Sequence, residues 1–595
     1  MIQFPYGISD FHLIRTKGYL YLDRTVAIPD LETVGRQLVF LRPRRFGKSL
    51  LLSTLANYYD LYTADEFPTL FGDLAIGKNP TAECNQYLIL RWDFSKVSAQ
   101  GDLAAITGNL FRHLNECIKG FAQKYQAILK FPVTVYAEDA LASFDSLANS
   151  VKNSGHTLYL LVDEYDNFAN EILTSDPHDR VRYHDLLEGE GVLKTLFKVI
   201  KASASEGKIS RVFITGVSPV VLSDMTSGYN VATSIYLDER FNALCGVTQD
   251  ELTLLLQQIL QVHQQDASKV VDILDVMRRF YNGYRFCEVL TLPLLYNPTL
   301  SFYCLRHYQQ NGDMPRQMLD GNLAMDAGRI RYIANLPAGM AVIDQILDET
   351  HATPLRQLET RFGVEQLQRV QHDPAYMLSL LYFFGVLTIA DVDGMGRLVL
   401  AIPNLVIRGL YVEQLKEQTL PRFEDQQTAQ HLAENFYQTA DLQPLVEFVE
   451  NKYFAVFSNR DYRWSNELTV KTAFMTLLFN DLYYIMDSEA VIQRRYSDLL
   501  MIIRPNMRRF PLLKDIVLEF KYVSLADAKL TAKQVRNQSR EALTALPVVQ
   551  TAMQAALAQL QDYRQALEAK YRQPERLHCL AVVALGFERV LWQAL

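Results

Sequence analysis

Cysteine is scarce, with six in 595 residues. Cys84, Cys117, Cys245, Cys287, Cys304 and Cys579 stand apart, none within metal-ligand spacing of another. That argues against a structural zinc site and suits a reducing compartment. Long apolar runs are also missing. The longest, such as Leu158 to Val162, are short and end in charge, as buried strands do, so no membrane span is expected. The opening MIQFPYGISDF has no basic stretch followed by an apolar one, so no secretory leader is expected. A cytoplasmic location without a membrane partner follows. Nor is there an excess of positive charge. A net charge of -8 argues against a protein that is basic all over, although a local basic face can still bind a polyanion.

What is present is a globular composition, 49% apolar and 21% charged, at a length that implies two to four domains. Residues 1–245 alternate β-rich runs with helical patterns. Gln37–Leu41, Gln86–Trp92, Thr157–Val162 and Arg211–Thr215 read as buried strands, and 103–129 reads as helix. Such alternation implies a parallel sheet with helices on both faces. Residues 246–425 are mainly helical. A helix at Tyr376–Gly385 is followed by two β-like runs around Asp393-Gly394, a hairpin signal. A winged-helix unit and a helical linker carrying a hairpin both fit. Residues 426–595 form another α/β unit, with strands at 494–503, 515–523 and 577–584 and a helix at 549–570.

The first chemical signal is Arg42-Pro-Arg-Arg-Phe-Gly-Lys48-Ser49, between a strand and a helix. A loop there offers backbone N–H groups and the positive end of a helix to phosphates. Arg45, Phe46 and Gly47 would line the cradle. Lys48 would reach the β- and γ-phosphates, and the Ser49 hydroxyl would take one Mg²⁺ position. The usual pattern, G-x-x-x-x-G-K-[ST], has glycine where Arg42 stands, so the match is partial. A second element completes it: Leu158-Tyr-Leu-Leu-Val-Asp163-Glu164, an apolar strand ending in two carboxylates. Asp163 would hold Mg²⁺ through water and Glu164 would polarise the attacking water. Thr215 or Ser218, at the end of the 211–215 strand, stands where a γ-phosphate sensor or an ordinary strand end would stand.

Phe4-Pro-Tyr-Gly-Ile-Ser-Asp-Phe11, Tyr19-Leu-Tyr-Leu-Asp23-Arg-Thr25 and the RPRRFGKS loop resemble the N-terminal signature of the AAA-ATPase-like family. So do Asp163-Glu-Tyr-Asp166, FITGVSP at 213–219, Tyr281-Asn-Gly-Tyr-Arg-Phe286 and Tyr296-Asn-Pro298. The resemblance covers roughly 1–305 and more loosely the rest. It implies an arginine at the first glycine position, ATP rather than GTP, and often a C-terminal PD-(D/E)XK nuclease-like domain. A role in defence against foreign nucleic acid belongs to the same implication.

The C-terminal signal fits that domain. Tyr496-Ser-Asp498 and Ile516-Val-Leu-Glu519-Phe-Lys521 each lie in a strand-like run. Adjacent strands would bring Asp498 near Glu519 as a hard-oxygen Mg²⁺ site. The two-residue period of a strand puts Glu519 and Lys521 on one face, where Lys521 would stabilise charge on a phosphate. Glu467, on an upstream helix, stands where this superfamily often supplies another acidic ligand, and Gln559-Leu-Gln-Asp-Tyr563 resembles a helix seen in some of its members. Between 490 and 540 there are eleven lysines and arginines against four acids, a charge suited to DNA or RNA. The reading is thus an ATP-binding and ATP-hydrolysing regulator coupled to a Mg²⁺-dependent nuclease. A nucleotide-switched nucleic-acid-binding protein without cleavage, and an ATPase acting on protein partners, are the alternatives. A homo-oligomer is compatible with all three.

Overall fold

The protein is seen in a computed structural model. It describes all residues except 99, 168–190, 221–230, 320–326, 348–353, 363–371, 455–466, 488–489, 493–494 and 572.

The first layer is a five-stranded sheet built from β1 (Gln37–Leu41), β2 (Tyr87–Asp93), β3 (Thr157–Asp163), β4 (Ile209–Gly216) and β5 (Thr233–Ser234). Its order is β2-β3-β4-β1-β5 and every pairing is parallel. Strands with helices on both faces read as continuous apolar runs, and β1 and β3 do. Tyr159 of β3 packs on Tyr59 of the helix Lys48–Tyr59, one face of the sheet. Trp92 of β2 packs on Phe144 of the helix Ala140–Asn153, the other face. Strand ends match the expectation to within two residues. The two-residue β5 was not anticipated, being too short and polar to show a period. The helix expected over 103–129 ends at Lys124.

The middle is helical, as expected. Gln249–Val262 starts with a capping box of Thr248 and Glu251, and Lys269–Tyr281 and Pro298–Asn311 follow. The helix Pro374–Phe384 is capped by Asp373 and stops at Gly385, whose φ of 79° is the left-handed turn that glycine takes readily. It leads into the antiparallel hairpin β6 (Thr388–Val392) and β7 (Leu398–Ala401). Leu355 exchanges backbone hydrogen bonds with Leu398 (2.8 and 2.7 Å), adding a third short strand contact. The helix and the hairpin thus pack together with Leu355 at the hairpin's edge, an arrangement that suits both a winged-helix unit and a helical linker carrying a hairpin.

The C-terminal sheet is mixed, in the order β14-β13-β12-β11-β8. Its strands are β8 (Tyr484–Asp487), β11 (Leu499–Ile503), β12 (Asp515–Val523), β13 (Leu577–Leu585) and β14 (Arg589–Ala594). β9 (Ala490–Ile492) and β10 (Arg495–Ser497) form a separate antiparallel pair. The run expected as one strand over 494–503 is thus broken at Asp498. One face of the sheet carries Leu518, Phe520 and Val582 toward the helix Glu467–Leu478, where Phe520 meets Phe474. The other carries Val517, Ala581 and Val583 toward Pro547–Tyr571, with Tyr563 buried between them. Among the described residues no helix is long and apolar enough to cross a membrane.

A buried arginine joins the helical middle to the C-terminal sheet. Arg504, with none of its surface exposed, donates from Nη1 to the carbonyls of Arg316 (2.8 Å), Asp481 (3.0 Å) and Leu482 (3.1 Å). Its Nη2 donates to Pro315 O (2.6 Å), and its guanidinium lies over Phe280. Not all of the basic residues of 490–540 are therefore available to a polyanion. Arg504 points inward, Arg508 is held by Asp515 (3.0 Å), and Arg540 is held by Glu450 (2.8 Å). Arg494 lies outside the described residues.

Candidate active sites

The loop after β1 is fixed at both ends. Arg42 is buried and donates to Leu41 O (2.8 Å), Tyr236 O (2.8 Å) and Phe241 O (2.7 Å), stacked between Phe40 and Phe286. Burial lowers its pKa to about 10, which leaves it charged at neutral pH. The residue in the first glycine position therefore braces the loop from behind. Phe46 is buried edge-on against Tyr284 and Phe286, so the Tyr281–Phe286 motif is the loop's other support. Arg45 and Gly47 both have positive φ, 65° and 98°. Gly47 is the N-cap of the helix Lys48–Tyr59, and its left-handed turn aims the first N–H groups of that helix into the loop.

Lys48 is almost fully buried. Its Nζ donates to Pro43 O (3.2 Å) and lies 3.2 Å from Glu164 Oε1. Ser49 stands beside it in the first helical turn. Asp163 ends β3, with Oδ1 accepting from Thr215 Oγ1 (2.7 Å) and Oδ2 from Arg91 Nη2 (3.1 Å). Glu164 follows at a φ of 51°, a left-handed conformation that costs a glutamate energy and turns the chain sharply out of the strand. The motif residues Arg45, Phe46, Gly47, Lys48, Ser49, Asp163 and Glu164 thus come together at the carboxyl ends of β1 and β3.

Thr215 orients Asp163, and Ser218 donates to Asp166 Oδ2 (2.9 Å). Asp166 also accepts the amides of Val217 (3.1 Å) and Ser218 (2.7 Å). That knot explains why DEYD and FITGVSP occur together. Arg44 reaches Asn167 Oδ1 (2.9 Å). Beside the loop, Tyr21, Leu22, Gly47, Leu50, Leu244 and Phe302 line a largely apolar pocket that opens to solvent. Arg91 and the pocket gave no sequence signal, since their partners are distant in the chain.

In the C-terminal sheet the pairing of Leu499 with Leu518 sets Asp498 opposite Glu519. Asp498 Oδ2 accepts the Phe520 N–H at 2.7 Å. Lys521 Nζ lies 3.1 Å from Glu519 Oε1 and 3.9 Å from Glu467 Oε1. Glu519 is 2% exposed, and its Oε2 has no hydrogen-bond partner. Burial, and then the neighbouring Asp498, push its carboxyl up to about 7. A buried carboxylate oxygen without a donor is what a cation would satisfy, so the pair fits a hard divalent ion. Glu467 is half exposed and is drawn toward Lys521. Among the described residues no group of three His, Cys, Asp or Glu side chains converges as a metal cluster. Sequence reasoning missed Lys471, one helical turn after Glu467, whose buried Nζ lies 4.0 Å from Asp498 Oδ1. The i,i+4 spacing from Glu467 was its one visible sign.

A parallel sheet in this order, with a lysine-bearing loop after β1 and twin acids after β3, defines the N-terminal half as a P-loop NTPase fold. The mixed sheet carrying Asp498, Glu519 and Lys521 on adjoining strands sets the C-terminal half apart as a nuclease-type fold. Residues 5–226 match the family model of the predicted AAA-ATPase, AAA-ATPase-like, and residues 465–593 that of the PD-(D/E)XK nuclease superfamily. The chain thus joins an AAA-ATPase-like domain to a PD-(D/E)XK-superfamily domain. It is similar to an uncharacterized protein in the vnfD 5′ region of Azotobacter chroococcum mcd 1, 26% identical over 430 residues, or 70% of this chain and 71% of that protein. The structure of the Aeropyrum pernix ORC1 protein in complex with DNA covers 66% of this chain and 90% of its own at 12% identity, with a TM-score of 0.21. So slight a likeness carries no argument.

Proposed function

We propose that the protein is an ATP-binding and ATP-hydrolysing regulator coupled to a Mg²⁺-dependent nuclease that cuts DNA or RNA. Its division is 1–245 for the ATPase, 246–425 for the lid and wing, and 426–595 for the nuclease. The observation that carries the reading is the partnerless Oε2 of buried Glu519, set against Asp498 and beside Lys521.

At the first site the loop amides, Lys48 and the helix N-terminus hold the phosphates, and the apolar pocket beside Gly47 accommodates the base. Ser49 and Asp163 would hold Mg²⁺, Asp163 through water. Phosphate oxygens arriving at Lys48 compete with Glu164 for its ammonium, which frees Glu164 to orient water. At the second site Asp498 and Glu519 would hold the divalent ion, with Glu467 at the rim. A bound ion there supplies an activated water and charge stabilisation for phosphodiester cleavage. Lys521 holds positive charge against the phosphate.

The contacts between the units support coupling. Thr299 Oγ1 donates to Arg45 O (3.1 Å) in the phosphate loop, and its helix runs toward the 314–318 segment that Arg504 grips. The six cysteines are all unpaired, which supports a reducing, cytoplasmic setting. Defence against foreign nucleic acid suits the architecture.

The test incubates the protein with Mg²⁺ and single- and double-stranded DNA and RNA, with and without ATP, beside Lys48→Ala and Glu519→Ala. Cleavage lost in Glu519→Ala, and altered by ATP only when Lys48 is intact, is the expected result. ATP turnover with no substrate cut would refute the nuclease.

A further inference from the structure

Each carboxylate of the C-terminal pair has one oxygen already engaged. Asp498 Oδ2 accepts the Phe520 amide at 2.7 Å, so Oδ1 is the oxygen left to coordinate. Glu519 Oε1 faces Lys521 at 3.1 Å, which leaves the partnerless Oε2. Two divalent ions set about 3.5–4 Å apart, as in two-metal hydrolases, need shared ligands between them. Asp498 is the natural residue to bridge, and its second oxygen is fastened to the backbone of β12. The space on its Oδ1 side is already approached by a cation, since the Lys471 ammonium lies 4.0 Å away on a side chain only 8% exposed. A second ion there would meet that fixed charge in a partly dehydrated setting, where repulsion is strong.

Resting on the metal-site reading above, we infer that this site takes a single divalent ion, through Asp498 and Glu519. Lys471 supplies the positive charge that a second ion supplies elsewhere. Lys471 is then a positioning residue for Asp498 and an electrostatic partner for the substrate phosphate. Its helix also carries Glu467, so the spacing of one turn sets an acid at the rim of the site and a base within it.

The probe is Mn²⁺, bound to the full-length chain without nucleotide, counted by equilibrium dialysis and examined by electron paramagnetic resonance. Asp498→Asn identifies the ions held at this site and subtracts any held near Asp163. One Mn²⁺ per chain that disappears in Asp498→Asn is expected, with an isolated-ion spectrum. Lys471→Met and Lys471→Gln, checked for parent-like melting, should take a second ion, with dipolar broadening, and bind the first at least tenfold more tightly. Two ions at this site in the parent, or Lys471 variants that still bind only one, overturn the inference and leave the metal reading standing. If Asp498→Asn removes no Mn²⁺ from the parent, the metal reading falls and the inference with it.

Discussion

Glu519→Gln should stabilise the metal-free protein at alkaline pH while abolishing cleavage. Burial, then Asp498, raises the Glu519 carboxyl from 4.5 to about 7. A carboxyl raised in the folded state favours the protonated native form. Its stabilisation is full below the unfolded value near 4.5 and is lost as pH rises through 7. At 1.36 kcal/mol per pH unit, the rise of about 2.5 units is worth about 3 kcal/mol in all. About 2 kcal/mol of that disappears between pH 5.5 and 8. Glutamine has the same shape and no charge to lose, so its stability should stay flatter across that window. The assay is a set of urea unfolding curves in EDTA at pH 5.5, 6.5, 7.5 and 8.0 for both proteins. The parent should weaken relative to Glu519→Gln with each step upward. Mg²⁺ at pH 8 should restore the parent and leave the variant unmoved. Parallel curves across the window would refute the idea that Glu519 is held as an uncompensated buried acid.

Arg42→Gly, which writes the usual glycine into the phosphate loop, should lower the melting temperature. It removes hydrogen bonds to Tyr236 O and Phe241 O, at about 1.5–3 kcal/mol for a charged donor. Gly216→Ala should cost about 1–3 kcal/mol by overpacking, since the new methyl would lie 2.3 Å from the Tyr165 ring and 2.5 Å from Asp166, as a melting curve would read. Thr215→Val should slow ATP turnover tenfold or more while leaving nucleotide affinity within a few-fold, because it frees Asp163 Oδ1 without touching the loop; steady-state hydrolysis and a fluorescent-nucleotide titration separate the two. Metal-dependent cleavage should fall as pH drops below 7, since a proton on Glu519 competes with the ion.

The central strands of both sheets were legible because buried strands are apolar throughout, and the edges of β1, β3 and β12 fell within a residue of the observed ones. β8 and β14 were not foreseen. β14 ends in Trp592-Gln593-Ala594, a partly exposed tail without alternation, and its place is set by pairing with β13. The phosphate-loop and Glu-x-Lys residues were legible as motifs because each set lies within one local segment. Lys471, Arg91 and the burial of Arg504 were not, because each depends on a neighbour far away in sequence. A run of basic residues reads as a surface until the carbonyls that receive them are seen. Glu467 shows another limit: its place near the pair follows from the helix that carries it, and its half-exposed setting at the rim from packing.

The Arg504 clamp bears on how the chain can be divided. A fragment starting near residue 465 would keep the carbonyls of Asp481 and Leu482 but lose those of Pro315 and Arg316 and the ring of Phe280. Its guanidinium would be left at a raw apolar face, half solvated, just past the end of β11. The C-terminal sheet is in that sense not a passenger on a tether. Any shift of the 314–318 segment must either carry β11 with it or pull a charged group away from its acceptors.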